Sequence, residues 1–336
     1  MHKKDFSYYV TRYFTNYLDR EAGFSPNTIK SYRDTFILFF RYIELFRICK
    51  INKLNMDILS ADNVNDFLNW IEKERQCTVS SRNQRLAALK SFCIYVIREN
   101  PEKSDICQQV LGIRAKKATQ KSIGYLNIEA ISYLLKMPDK TSDRGIRDLA
   151  LLALLYETGC RVQEIIDLKI GDISFRIPNT VALTGKGNKI RVVPISQQVS
   201  EIIKNYLSIS TRHNFEENIF VNRLGNPLSR SGVAYILNKY GDMSRKNRLD
   251  LYPYKLHPHI LRHSKAMHLL ENNVNLIYIR DFLGHSSVTT TEIYARCNPE
   301  LKRKYIEEAS NFITETVQDY SKTEKNDLLE WLRKNI

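Results

Sequence analysis

No pair of the six cysteines, at 49, 77, 93, 107, 160 and 297, stands as Cys-x-x-Cys. That absence argues against a disulfide frame or a zinc site, and the scatter through helical-looking segments suits reduced, buried thiols. Nor is there a run of about 18 uncharged apolar residues, and the opening MHKKDFSYYV lacks the apolar core of an export signal. The expectation is therefore a cytoplasmic chain, neither secreted nor membrane-spanning. Internal repeats and low-complexity tracts are also missing, and 336 residues at 43% hydrophobic composition suffice for two domains with a core each.

Acid is in short supply. Lys and Arg number 51 against 37 Asp and Glu, a formal charge of +14. Before position 123 there are 21 basic and 13 acidic residues, and from there on 30 and 24, so the halves carry +8 and +6. A chain basic in both halves suits a polyanionic partner through counterion release from phosphates; the plainer reading is that the charge keeps it soluble.

Residues 7 to 100 read as four helices. In the second, Ser25 and Pro26 supply cap and first turn, and Ile29, Tyr32, Phe36, Phe39, Phe40 and Ile43 recur at helical spacing. The fourth begins near Val79 with SSRNQR, free of acid; Arg82, Asn83 and Arg85 there suit either a DNA groove or a solvated face. The segment IRAKKATQKSIGY (113–125) has no apolar period and no acid, so it reads as a basic linker whose Arg114, Lys116 and Lys117 can follow a phosphate backbone. Beyond it, helices are expected over 127–136, 144–158, 162–168, 197–209, 231–241, 259–272 and 299–314, with a helix closing at Gly284. VALTGKGNKIRVVPI (181–195) reads as strand, Gly-rich turn and strand.

Four places carry candidate chemistry. In YETGCRVQEIIDL (156–168), Arg161 follows Gly159 at a helix start, where backbone N–H groups favour an anion; Glu164 either orients that guanidinium or forms a surface pair. Lys186 sits at the hairpin tip, although the spacing is not that of a P-loop. HPHILRHSKAMH sets His259 and Arg262 three apart on one helical face; a metal held by His257, His259 and His263 is disfavoured by the cation Arg262 in their midst, and His263 reads as structural. In LGHSSVTTTEIYAR (283–296), a polar run separates His285 from Tyr294.

Arg, Lys, His-x-x-Arg, Gly-His and Tyr in that order resemble the tyrosine site-specific recombinases, the phage-integrase family. The resemblance covers roughly residues 10 to 310, with TGCRVQEIIDL, TGKGNKIRVVPI, HPHILRH and LGHSSVTTTEIYAR in order. Cys160 stands where that family more often has a larger aliphatic residue. The implied fold is mainly α: an N-terminal helical, SAM-like core-binding domain (1–112), the basic linker (113–124), a mixed α+β catalytic domain with a small antiparallel sheet (125–314) and a C-terminal tail (315–336), the two domains clamping double-stranded DNA. The implied catalytic set is Arg161, Lys186, His259, Arg262, His285 and Tyr294, with Glu164 in support. The implied reaction cuts DNA through a 3′-phosphotyrosyl ester, exchanging strands via a four-way junction in a homotetramer on two inverted-repeat core sites.

The physics is consistent with those roles. Two guanidiniums can hold the charge that develops on a phosphodiester under attack, with no metal or other cofactor. A phenol of pKa about 10 needs nearby cations and a base to become a nucleophile. His259 is the candidate base, His285 a phosphate contact, Lys186 the acid for the leaving 5′-oxygen. The polar run is expected to deliver Tyr294 to the phosphate rather than into a core. In the tail, Leu328, Leu329, Trp331, Leu332 and Ile336 form an apolar face at helical spacing, to be buried against its own domain or a neighbouring protomer. Two other readings are a type IB topoisomerase and a non-catalytic DNA-binding protein.

Overall fold

The computed structural model describes residues 5–46, 48, 54–118, 124–185, 187–210, 214–252, 256–285, 287, 291–294, 330 and 333–334. The chain forms two compact units, divided between Lys121 and Ser122.

In the first unit, α1 (Phe6–Arg12) runs into a π-helical stretch, Tyr13–Glu21, followed by α2 (Pro26–Leu45), α3 (Ala61–Lys73), α4 (Val79–Glu99) and α5 (Ser104–Gly112). The starts of α2 and α4 follow from their caps. The Ser25 hydroxyl accepts from the Thr28 N–H and Pro26 opens the first turn, while the Thr78 hydroxyl accepts from the Ser81 N–H. The core is aromatic: Phe92 meets Phe6, Tyr13 and Phe36 edge-on, the arrangement that ring quadrupoles favour. Helix α5 was not foreseen; it buries only Cys107 and Val110, too few positions to establish a period.

The second unit contains α6 (Ile128–Lys136), α7 (Asp143–Thr158), α8 (Val162–Asp167), β1 (Ile173–Ser174), β2 (Thr180–Thr184), β3 (Ile190–Pro194), α9 (Gln197–Ile209), α10 (Arg230–Asn247), α11 (Pro258–Glu271) and α12 (Leu276–Leu283). Every residue of α7 from Leu149 to Leu155 is buried, so it is the central helix of this unit. The sheet is antiparallel in the order β1-β2-β3, with Val181 opposite Val193 and Leu183 opposite Arg191. Val181, Leu183 and Val193 join the core, while Ile190 and Val192 face outward. The hairpin matches the sequence expectation; β1, two residues long, carries no readable alternation.

The fold is thus mainly helical with one small antiparallel sheet. Among the described residues, no helix is long and apolar enough to cross a membrane. The helix expected over 299–314 lies outside the described residues, as does the apolar face expected in the tail.

Candidate active site

Two left-handed glycines set the backbone of the site. Gly159 ends α7 at φ +54° and Gly284 ends α12 at φ +65°, a conformation that L side chains rarely adopt. Both positions are also crowded. A Cβ on Gly159 would come within 2.9 Å of Leu283 Cδ2, and one on Gly284 within 3.0 Å of the Arg191 guanidinium. The ends of α7 and α12 therefore meet.

Arg262, on α11, fastens that junction. Its guanidinium is buried and donates to the carbonyls of Gly159 and Leu283, both at 2.8 Å. Burial, and after it the neighbouring Arg161, lower its pKa to about 10, so it stays charged at neutral pH. Arg161 caps α8 and donates to Glu164 at 2.8 Å and to the Gly284 carbonyl at 3.1 Å. Glu164, at the third position of α8, reaches back to the Arg161 backbone N–H at 2.8 Å. Its carboxylate is buried, so the contact with Arg161 is not a surface pair.

The second partner of Glu164 is Arg191, which the sequence reading passed over. It donates to both Glu164 oxygens and, through Nε, to the Phe282 carbonyl at 3.0 Å. Burial works to raise the Glu164 pKa, but hydrogen bonds and charge from Arg191, with those from Arg161, hold it below the ordinary carboxylate value. Two guanidiniums thus hold one carboxylate, with Arg262 near enough to feel its charge, so positive charge is in excess.

The histidines differ in their settings. His285 Nδ1 lies 2.9 Å from the Thr291 hydroxyl. Burial first, then the charges of Arg262, Arg161 and Arg191, push its pKa down to about 4. The solvent-facing His259 is shifted the same way, by partial desolvation and then by Arg262, His257 and Arg161. His263, read from sequence as structural, places Nδ1 3.0 Å from the Tyr294 hydroxyl. Among the described residues, no cluster of three or more His, Cys, Asp or Glu side chains is disposed to hold a metal ion.

Tyr294 corrects another expectation. Its ring is 2% exposed and packs with Ala266, Met267, Leu270, Ile279 and Leu283, lying parallel to the His285 ring at 6.4 Å between centres. Its ring thus lies in a small core rather than open to solvent, with its hydroxyl on His263; an aromatic body with a polar tip satisfies both demands. Lys186 lies outside the described residues. Around it the turn is closed by the Gly185 N–H donating to the Lys189 carbonyl at 2.8 Å, with Gly187 and Asn188 at positive φ.

The basic face of α4 is turned inward more than either sequence reading allowed. Arg82 is buried 3.4 Å from Glu72, and Arg85 donates to the Ser31 carbonyl and the Thr35 hydroxyl. Asn83 exchanges two hydrogen bonds with the backbone of Lys116, at 2.7 and 3.0 Å, and the Lys116 ammonium pairs with Glu72. The first part of the expected linker is thereby docked on its own unit, with Arg114 and Lys117 exposed.

Residues 125–300 match the phage integrase family, and residues 12–100 match the phage integrase N-terminal SAM-like domain. The chain belongs to the phage integrase family. It is 33% identical over 300 residues to a putative integrase/recombinase, y4rC, of Sinorhizobium fredii, covering 89% of this chain and 90% of that one. It is 32% identical over 295 residues to the tyrosine recombinase XerD of Staphylococcus epidermidis, covering 87% and 95%. Among solved structures, the site-specific recombinase XerH, in a post-cleavage complex with a palindromic difH substrate, aligns with a TM-score of 0.65 at 22% identity, over 84% of this chain and 79% of that one. The Tn1549 transposon integrase in complex with circular intermediate DNA gives 0.66 at 16%, over 88% and 98%. The chain is thus a tyrosine recombinase, an enzyme that cleaves and rejoins DNA strands.

Proposed function

We propose that Tyr294 is the nucleophile of this recombinase and that Arg161 and Arg262 hold the scissile phosphate, with His259 and His285 contacting its oxygens. The observation that carries this reading is the Tyr294 hydroxyl on His263, beside His285 and within the electrostatic reach of Arg262. Attack by the phenolic oxygen forms a 3′-phosphotyrosyl ester, and the departing 5′-oxygen takes its proton from Lys186. The ester conserves the bond energy, so religation needs no ATP. Its substrate is double-stranded DNA with an inverted-repeat core site, bound by a homotetramer on two sites that exchanges strands through a four-way junction. Such exchange serves integration or excision of a mobile element, or resolution of DNA dimers. Arg114, Lys116 and Lys117 contact the phosphate backbone.

The test is Tyr294→Phe on a suicide substrate carrying the mapped site. The variant should bind DNA as the parent does and give no detergent-stable protein–DNA band. A band from the variant would remove Tyr294 from the role, and relaxation of supercoiled DNA without any such site would favour a topoisomerase.

A further inference from the structure

We propose that His263 is the catalytic base that takes the proton from the Tyr294 hydroxyl. This inference rests on Tyr294 being the nucleophile. His259, Arg262 and His263 stand at steps of three and four on α11, so one helical face carries all of them. His263 is the member of that face whose ring nitrogen is in hydrogen-bonding reach of the reacting oxygen, at 3.0 Å. The ring is half-buried. Its pKa is pushed down to about 4 by burial first, then by His259, His257 and Arg262, so the ring is neutral at pH 7 with one nitrogen free to accept. With the imidazole hydrogen on Nε2, the phenol O–H donates and Nδ1 accepts, the arrangement that proton transfer to this ring requires.

The step balances. The phenolic oxygen forms its bond to phosphorus as its proton moves to Nδ1, the bond to the 5′-oxygen breaks, and that oxygen is protonated from the Lys186 side. The resulting imidazolium lies among the His257, His259 and His285 rings and within the field of the Arg262 cation, whose repulsion a bound phosphate offsets. At religation it returns the proton to the tyrosine oxygen.

The experiment measures covalent-complex formation against pH on a suicide substrate, for His263→Ala, His263→Asn and His259→Ala, with thermal melts of each. His263→Asn preserves a polar atom near the Nδ1 position, so it reports on proton transfer even if the alanine variant fails to fold. Both His263 variants should react at least about 10²-fold more slowly at pH 7, with a rate that climbs steadily as pH rises and hydroxide replaces the base. A 5′-bridging phosphorothiolate should not rescue them, because the leaving group is not at fault. Parent-like rates and pH profile in His263→Asn, or the altered profile appearing in His259→Ala instead, would overturn the assignment. The Tyr294→Phe result separates the two claims: a covalent band there sinks the nucleophile, whereas a parent-like His263→Asn beside an inert Tyr294→Phe sinks only the base.

Discussion

Arg191 sets its two terminal nitrogens against the two oxygens of Glu164, at 3.0 and 2.7 Å. The same carboxylate holds Arg161, so a strand residue and a helix-capping residue share one buried anion. Removing Arg191 leaves Glu164 to Arg161 alone, so the cost falls at the lower end of the about 3–5 kcal/mol of a broken buried pair. Arg191→Ala should therefore lower stability by roughly 3 kcal/mol in chemical denaturation. Glu164→Gln should fold, yet form the covalent complex about tenfold more slowly, because a charge-assisted hydrogen bond to Arg161 worth about 1.5 kcal/mol is gone. Parent-like cleavage by Glu164→Gln would confine the carboxylate to folding.

Lys186 falls in the sequence between β2 and β3. As general acid, its loss should slow cleavage of ordinary DNA by about 10²-fold or more, while a 5′-bridging phosphorothiolate, whose sulfur leaves unprotonated, restores most of the rate. Equal defects on both substrates would place the lysine elsewhere in the reaction.

Gly284→Ala should destabilise the catalytic unit by about 1–2 kcal/mol, from the left-handed backbone alone. The new methyl group would also press on Arg191, and His285 is the next residue, so cleavage should fall more than stability does. Gly112→Ala is the control: its Cβ would meet nothing within 4 Å. Equal behaviour of the two variants would show that the close approach at Gly284 is inconsequential.

His263 and His285 have folded-state pKa values near 4 against an ordinary 6.5. With the folded pKa depressed, the unfolded chain binds protons first on acidification. The stability these rings contribute is complete above pH 6.5 and is lost as pH falls towards 4. The melting temperature should drop from pH 7 to pH 5, and less steeply in a His263→Asn, His285→Asn double variant. Equal slopes would mean that other groups set the acid limit.

Arg161, His259, Arg262, His285 and Tyr294 were singled out by their order, through the family resemblance, and the structure gathers Arg161, Arg262, His285 and Tyr294 about the ends of α7 and α12. What escaped were residues whose part is fixed by packing. Arg191 sits in KIRVVPI, where alternation alone marks it as a polar residue on a strand. Only the register opposite Leu183 turns it inward to Glu164. His263 was one helical step from His259, and that spacing was available evidence for a shared face; what sequence lacked was the position of Tyr294, set by the packing of α11 and α12. On α4, composition could not tell solvated arginines from arginines that tie a helix to its neighbours, and Arg82 and Arg85 are tied to theirs.

Arg262 gives its terminal amino groups to two main-chain carbonyls. A long cationic side chain surrenders about 2 kcal/mol of rotamer freedom when it is held in place. Here that loss falls in the folding of the second unit rather than at the encounter with a phosphate. The guanidinium plane is fixed beforehand, so in the proposed role a correctly seated phosphate meets a ready donor surface and a misplaced one cannot recruit the side chain by bending it. Rigidity of this kind favours fidelity of position: the enzyme gains in the accuracy of its cut what a mobile arginine would gain in tolerance.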